Sequence, residues 1–373
     1  MKNVIGLVNF HSSPEILPIT ESRPLGSTSF LGRYAFCDFA LSNLCNSGIS
    51  TVGLLVKDHQ RSILKHLGSM DAWQSNTKLS QTVVMFNESA HGKPAYNTDV
   101  ANIKENDWVI YNSTATHLVI VPAHIVATID LDAILREHIE RHEYITVVAT
   151  RVEHAENEYL NQPLIQMDSD NYLTSFKLNK GKVTGEAIAS MSTIIINRTT
   201  LAQICSVEAT LEPKKGLRDL LLAYSKRKGS RIHVHMFDGF SRCIDSYEHY
   251  IKYSFELLNP ENNKALFQPN LPVYTLTHDT KPAMYGREAK VTDSFIANGA
   301  IIEGTVDHCI VARDVYIGKG AVVRNSIIFS STKIDDGAHV EDAIIDKYSI
   351  VTRDHSISGI EGEFAYIRQG AII

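Results

Sequence analysis

The first two thirds of the chain alternate short runs of consecutive apolar residues with longer segments whose apolar positions recur at helical spacing. The runs "NVIGLVNF" (3–10), "TVGLLV" (51–56), "HLVIVPA" (117–123), "YITVVAT" (144–150), "PLIQMD" (163–168) and "STIIIN" (192–197) predict strands. Between them, "CDFALSNLCNSG" (37–48) predicts a helix closed by a glycine suited to a C-cap, and "DLDAILREHIERH" (130–142) one opened by a capping aspartate. This alternation predicts an α/β domain with a mostly parallel sheet covered by helices and ligands at the carboxyl ends of the strands.

From about Val291 the pattern changes. Short β-rich runs recur, "VTDSFI" at 291, "VDHCIV" at 306, "VRNSII" at 323 and "VEDAII" at 340, at offsets of 15, 17 and 17 residues. "NGAI", "KGAV" and "DGAH" fall at related places between them. A period this regular is that of a solenoid whose coils stack an apolar ladder, and about 18 residues per coil fits a left-handed parallel β-helix. The expected division is therefore an α/β domain over 1–256, a proline-rich connector over 257–287 and a β-helix over 288–373.

Composition narrows the function classes. The chain has 373 residues, 44% of them hydrophobic and 21% charged, which suits two globular domains. A formal net charge of −6 leaves no basic surplus for a phosphate backbone, so nucleic acid is not expected as a partner. No run is long and apolar enough for a membrane span, and the expected location is cytoplasmic. Five widely spaced cysteines without a Cys-x-x-Cys pair point to reduced, buried thiols rather than disulfides or a zinc knuckle. His11, His59, His66 and His124 have no recognised ligand spacing, so no metal is expected on this chain. No Gly-x-Ser-x-Gly elbow of a serine hydrolase occurs.

The stretch after the first strand, "GLVNFHSSPEILPITESR" (6–23), stands where many nucleotide-binding folds carry a glycine-rich phosphate loop, and it has almost no glycine. Its context explains the comparison. "CDFALSNLCNSGI" (37–49) resembles the "IDFALSNCINSGI" of the glucose-1-phosphate adenylyltransferases, the ADP-glucose pyrophosphorylases of bacterial glycogen synthesis. "RSILKHL" (61–67), "ASM" (189–191) and "DSYEHYIKYSFELL" (245–258) fall in register with further segments of that family, over nearly the whole chain. The resemblance implies a Rossmann-like nucleotidyltransferase domain followed by a left-handed β-helix.

It also implies where chemistry belongs, and there the chain departs from the pattern. Catalytic members open with a loop like "GGRGTRLxxLTxxRAKP"; anchored on Thr20 and Arg23, this chain offers Phe10, His11, Ser12, Ser13, Pro14 and Glu15. Glycines that let backbone N–H groups meet a triphosphate become bulky, and Glu15 would repel it. The Mg²⁺ aspartate of "LAGDH" corresponds to Ala123, with His124 retained, and that of "RDVGT" to Cys243, with Asp245 two residues on. The sugar-phosphate lysine of "FVEKP" corresponds to Asn179, with Lys180 beside it, while Ser190 keeps a hydroxyl at a sugar-contact position.

These departures imply a catalytically impaired subunit that accompanies a catalytic chain in a hetero-oligomer, a tetramer, with Mg²⁺ used by the partner and no cofactor held by this chain. In the family an anionic activator such as fructose 1,6-bisphosphate is held by basic residues; Arg23, Lys347 and Arg368 match three of them, and Leu25 replaces a lysine. Two alternatives stand beside this reading. One is an active adenylyltransferase with a site rearranged around Asp245 and Lys180. The other is an acyltransferase working between β-helix coils, where His308, His339 and His355 are the histidines to consider.

Overall fold

Apolar runs and amphipathic segments become strands and helices of a first unit in the computed structural model, which describes residues 3–74, 80–90, 93–208, 214–227, 229–277, 279–360 and 362–373. This unit comprises Met1–Thr28, Phe36–His249 and Ala265–Leu276. Its sheet has nine strands. At its centre Val4–Asn9 is flanked in parallel by Thr51–Val56 and His117–Pro122, and Gln81–Phe86 adds a further parallel strand beside Thr51–Val56. Every residue of Val4–Asn9 is buried, as a central strand covered on both faces requires.

The sheet reverses direction at Ala187–Asn197, which runs antiparallel to His117–Pro122, Ile145–Val152 and Pro163–Met167. Leu173–Leu178 pairs antiparallel with Pro163–Met167, and His233–Phe237 pairs parallel with Ile145–Val152. All six strands expected from the sequence form; Gln81–Phe86, Leu173–Leu178 and His233–Phe237 are additional. Leu7, Ile120, Val147, Ile196 and Val234 contribute to one continuous core across this sheet.

Local signals fix the ends of two helices of this unit. Phe36–Asn46 ends in a Schellman motif: Gly48, at φ 69°, donates to the Cys45 carbonyl at 2.9 Å and Ile49 to that of Leu44 at 3.2 Å. Leu131–Glu140 is capped by Asp130, whose carboxylate accepts from the Ala133 N–H at 3.0 Å. Asn43 clamps the first of these helices to a distant loop, donating to the Ala127 carbonyl at 2.9 Å and accepting from the Ile129 N–H at 3.0 Å.

The second unit comprises Ser29–Ala35, Tyr250–Lys264 and Thr277–Ile373. The division falls inside the helix Tyr247–Glu256, and the stretch 257–287 expected as a connector carries the helix Pro260–Leu266 and the first β-helix strand, Met284–Tyr285. Proline content misled there, because Pro260 occupies the first position of a helix, where a missing N–H costs nothing. The solenoid is a left-handed β-helix of three parallel five-stranded sheets. In one of them Val291, Val306, Val323, Val340 and Ile357 stack in register, the positions marked by the sequence repeat. Asp293, His308, Asn325 and Asp342 turn one corner with φ between 40° and 52°, a conformation short polar side chains tolerate best.

Phe255 stacks on His308 at 4.9 Å and an interplanar angle of 11°, and the His308 Nδ1 lies 2.5 Å from an Asp293 carboxylate oxygen. His308 is thus held by the preceding coil and by the helix that carries Phe255. No helix among the described residues is long and apolar enough to cross a membrane.

The inward ladder makes a stability prediction. Ile317 is fully buried between Ile302 and Ile334, whereas Ile301 faces outward and is 40% exposed. Ile317→Ala should cost about 2–4 kcal/mol and Ile301→Ala less than about 1 kcal/mol, read from urea unfolding. Equal costs would refute the inward assignment.

Candidate functional site

A cleft of about 350 Å³ opens where the parallel strands end, lined by Asn9, Lys57, Asp99, Gln162, Ser190 and Arg218 among others. Its floor is organised by Asp99, the first residue of the helix Asp99–Glu105 and only 6% exposed. One carboxylate oxygen accepts from the Asn9 side-chain amide at 2.8 Å. The other accepts from the Leu217 N–H at 2.8 Å and the Val100 N–H at 2.9 Å. The carboxylate therefore sits at the N-termini of two helices, Asp99–Glu105 and Leu217–Ser225, where partial positive charge stabilises it.

Lys57, Lys214 and Arg218 supply positive charge around the cleft, and Asp219 a second carboxylate. His11 is fixed in one neutral form: its Nδ1 lies 3.3 Å from the Asn97 carbonyl and its Nε2 accepts from the Asn102 amide at 3.1 Å. Burial lowers its pKa, with the nearby Asp99 charge opposing. Ser190 and Ser192 enter through an irregularity in Ala187–Asn197, where the register shifts between Ser190 and Ile194 and Ser192 adopts φ 51°. The Ser190 hydroxyl accepts from the Ser192 N–H at 3.1 Å, and Ser192 donates to the Gln162 amide oxygen at 2.5 Å.

The loop after the first strand is packed, not open. Phe10 is 2% exposed, and its ring lies so close to Gly26 that a Cβ there would meet the ring at 2.5 Å and the Ala123 methyl at 3.0 Å. Ile16 and Ile19 are buried as well. The backbone N–H groups of Phe10, His11, Ser13 and Ile16 donate to Leu55, Asn9, Phe10 and Thr20 respectively. These four amides are therefore turned to partners inside the protein and are withdrawn from a phosphate. Glu15 projects to solvent, its side chain 71% exposed, and pairs with Lys57 at 3.7 Å.

Neither position expected to ligate Mg²⁺ offers an oxygen. Ala123 is fully buried, and Cys243 lies in a strand paired with Ile125, its thiol pKa pushed well up by burial. Mg²⁺ requires hard oxygen donors in octahedral geometry, so these residues do not fit it. Asp245 is not a substitute: it accepts from the Leu160 N–H at 2.7 Å and lies 2.5 Å from the His249 Nδ1. Its side chain is 2% exposed, and it does not line the cleft.

Asn179 turns away from the cleft, donating to the Ala155, Glu158 and Tyr159 carbonyls at 2.8, 3.0 and 3.3 Å while its own oxygen accepts from Gly181. Lys180 is exposed and outside the cleft. Of the three residues matched to sugar-phosphate or catalytic positions as survivors, only Ser190 is in the cleft. Arg23 is 2% exposed in the first unit and lines a smaller cavity of about 220 Å³ with Glu21, Asp58 and His59. Lys347 and Arg368 lie in the second unit on neighbouring coils, where the Asp346 N–H donates to the Ile367 carbonyl at 3.0 Å.

Sequence reasoning did not find Asn9, Lys57, Asp99, Gln162 or Arg218. The start of the helix at Thr98, whose hydroxyl accepts from the Ala101 N–H at 3.1 Å, was the available signal for Asp99. Its partners Asn9 and Leu217 lie 90 and 118 residues away, beyond any local pattern.

Two family profiles match the chain: nucleotidyl transferase over residues 15–207, and the GlmU-like C-terminal hexapeptide over 278–363. Among curated proteins, it is 28% identical to the glycogen biosynthesis protein GlgD of Bacillus subtilis, across 95% of this chain and 92% of that one. It is 31% identical to the GlgD of Geobacillus stearothermophilus over 86% and 82% of the two chains. A glucose-1-phosphate adenylyltransferase of Fervidobacterium nodosum is 24% identical over 98% and 87%.

His124 yields a pH prediction. It is wholly buried and accepts from the Gln162 amide at 3.1 Å, and burial, assisted by Arg218, lowers its pKa to about 3. Between its ordinary pKa and that value the unfolded chain binds a proton that the folded chain does not, so stability falls as pH falls. The slope contributed is up to about 1.4 kcal/mol per pH unit. His124→Gln should flatten the acid limb of the stability profile by about one proton between about pH 6 and pH 4; an unchanged slope counts against a buried neutral imidazole.

Proposed function

We propose, for a chain that belongs to the nucleotidyl transferase family and within it to the group of GlgD proteins and glucose-1-phosphate adenylyltransferases, the role of a catalytically impaired regulatory subunit. Its partner is a catalytic glucose-1-phosphate adenylyltransferase chain, joined to it in a mixed oligomer, a tetramer. The partner makes ADP-glucose and pyrophosphate from ATP and glucose 1-phosphate for glycogen, using Mg²⁺. This chain contributes little turnover and tunes the partner's response to an anionic effector, for which a sugar phosphate is the expected class.

The observation that carries the reading is the packing of Phe10 against Gly26 and Ala123, at the end of the strand where a triphosphate and its metal would have to enter. An apolar ring and a methyl replace a phosphate seat and a metal carboxylate. Removing one oriented electrostatic group commonly costs about 3 kcal/mol, a factor of 10² to 10³ in rate. Loss of both metal carboxylates together with the open loop removes several such groups at once. The remaining cleft, with Lys57, Lys214 and Arg218 around Asp99, supports ligand occupancy without turnover.

The test is ADP-glucose formation by this chain alone, by a catalytic homologue alone, and by the two mixed. The expected result is no measurable turnover by this chain and a changed maximal rate or effector affinity in the mixture. Robust turnover by the isolated chain would overturn the proposal, as would a mixture identical to the catalytic homologue alone. Ala123→Asp combined with Cys243→Asp should restore less than about 1% of a catalytic chain's rate, because the loop amides stay engaged. Full recovery in that assay would mean that Phe10 does not obstruct the site.

A further inference from the structure

Outside the cleft, one group of three metal-ligating side chains comes together among the described residues: Cys37, Asp38 and His66, whose donor atoms all lie within 4.8 Å of one another. Cys37 and Asp38 stand in the first turn of the helix Phe36–Asn46, and His66 in the last turn of Gln60–Leu67. The His66 Nε2 is 2.6 Å from the nearer Asp38 oxygen, and the Cys37 sulfur is 3.9 Å from that same oxygen. Cys37 and the Asp38 carboxylate are fully buried, while the His66 side chain keeps 19% exposure.

We propose that Cys37, Asp38 and His66 form a binding site for a divalent transition-metal cation of the zinc type. The donor set decides the class of ion. A thiolate, an imidazole and a carboxylate are the ligands Zn²⁺ and Co²⁺ take in tetrahedral sites, whereas Mg²⁺ and Ca²⁺ select oxygen alone. With bonds of about 2.3 Å to sulfur and 2.0 to 2.2 Å to nitrogen and oxygen, ligand atoms around a tetrahedral ion stand roughly 3.3 to 3.7 Å apart. The thiol is already near that separation from Asp38, and the His66–Asp38 gap has to widen by about 0.7 Å. The exposed side of His66 provides the approach.

Binding replaces the Cys37 S–H bond by a sulfur–metal bond and releases the proton to solvent. Burial, and then the Asp38 charge, hold that proton more firmly than in an exposed cysteine. Affinity therefore rises with pH. The bound ion ties the start of one helix to the end of the other and stabilises the folded chain by mass action. This site is separate from the Mg²⁺ positions at Ala123 and Cys243, and it stands or falls independently of the regulatory role.

The probe is Co²⁺ added to the metal-free full chain, read by the thiolate-to-cobalt absorption band, the visible bands of a tetrahedral ion, and quenching of Trp73, whose ring lies 6.2 Å from that of His66. One equivalent should bind with a thiolate band, and Zn²⁺ should displace it. Cys37→Ser should abolish the band and weaken Co²⁺ binding at least about tenfold, and His66→Gln should weaken it similarly. Co²⁺ binding without a thiolate band, or the same band and affinity in Cys37→Ser, would overturn the site. The unaltered protein answers the first question even if a variant fails to fold.

Discussion

The carboxylate of Asp99 is buried at the end of the central strand, and three donors hold it there: the Asn9 amide on one oxygen and the Val100 and Leu217 N–H groups on the other. A carboxylate taken out of water without such partners costs several kcal/mol, so the strand end and the two helix starts must stay together for the fold to form. That requirement positions the helices Asp99–Glu105 and Leu217–Ser225 relative to the sheet. The cleft floor is the by-product, and the basic residues Lys57, Lys214 and Arg218 line the same cleft as a carboxylate whose hydrogen bonds are already made within the protein.

Beside that floor the loop from Phe10 to Thr20 answers a different demand. A phosphate seat needs small residues and unengaged N–H groups; an apolar plug needs a large side chain and closed hydrogen bonds. One loop cannot provide both. Burying a phenylalanine side chain is worth about 2 kcal/mol, and Ile16 and Ile19 add to it, so this loop contributes to stability where an open one would not. The engaged amides and the buried Ala123 methyl follow the same logic. Scaffold kept and chemistry replaced is the physical content of the proposed regulatory role.

Much of the fold was legible in the residue pattern. The solenoid was read almost coil by coil, because each coil pairs with its sequence neighbour and Val291, Val306, Val323 and Val340 repeat with the pairing itself. The six expected strands formed for the related reason that a buried strand shows as a continuous apolar run. Gln81–Phe86, Leu173–Leu178 and His233–Phe237 were missed since none is such a run: the first two are at most half buried along most of their length and the third carries two histidines. Among site residues Ser190 lines the cleft, while Asn179, Lys180 and Asp245 are directed elsewhere by hydrogen bonds or exposure.

What the sequence determined by itself was therefore local and periodic: strand and helix segments, their caps at Asp130 and Gly48, and the coil repeat. Tertiary structure alone decided what those side chains touch. Asp99 acquires Asn9 from 90 residues away and Leu217 from 118, and Cys37 and Asp38 acquire His66 from another helix. The reason is that a buried polar group is defined by its partners in space, and sequence separation says almost nothing about which partners the closing of a nine-stranded sheet will deliver.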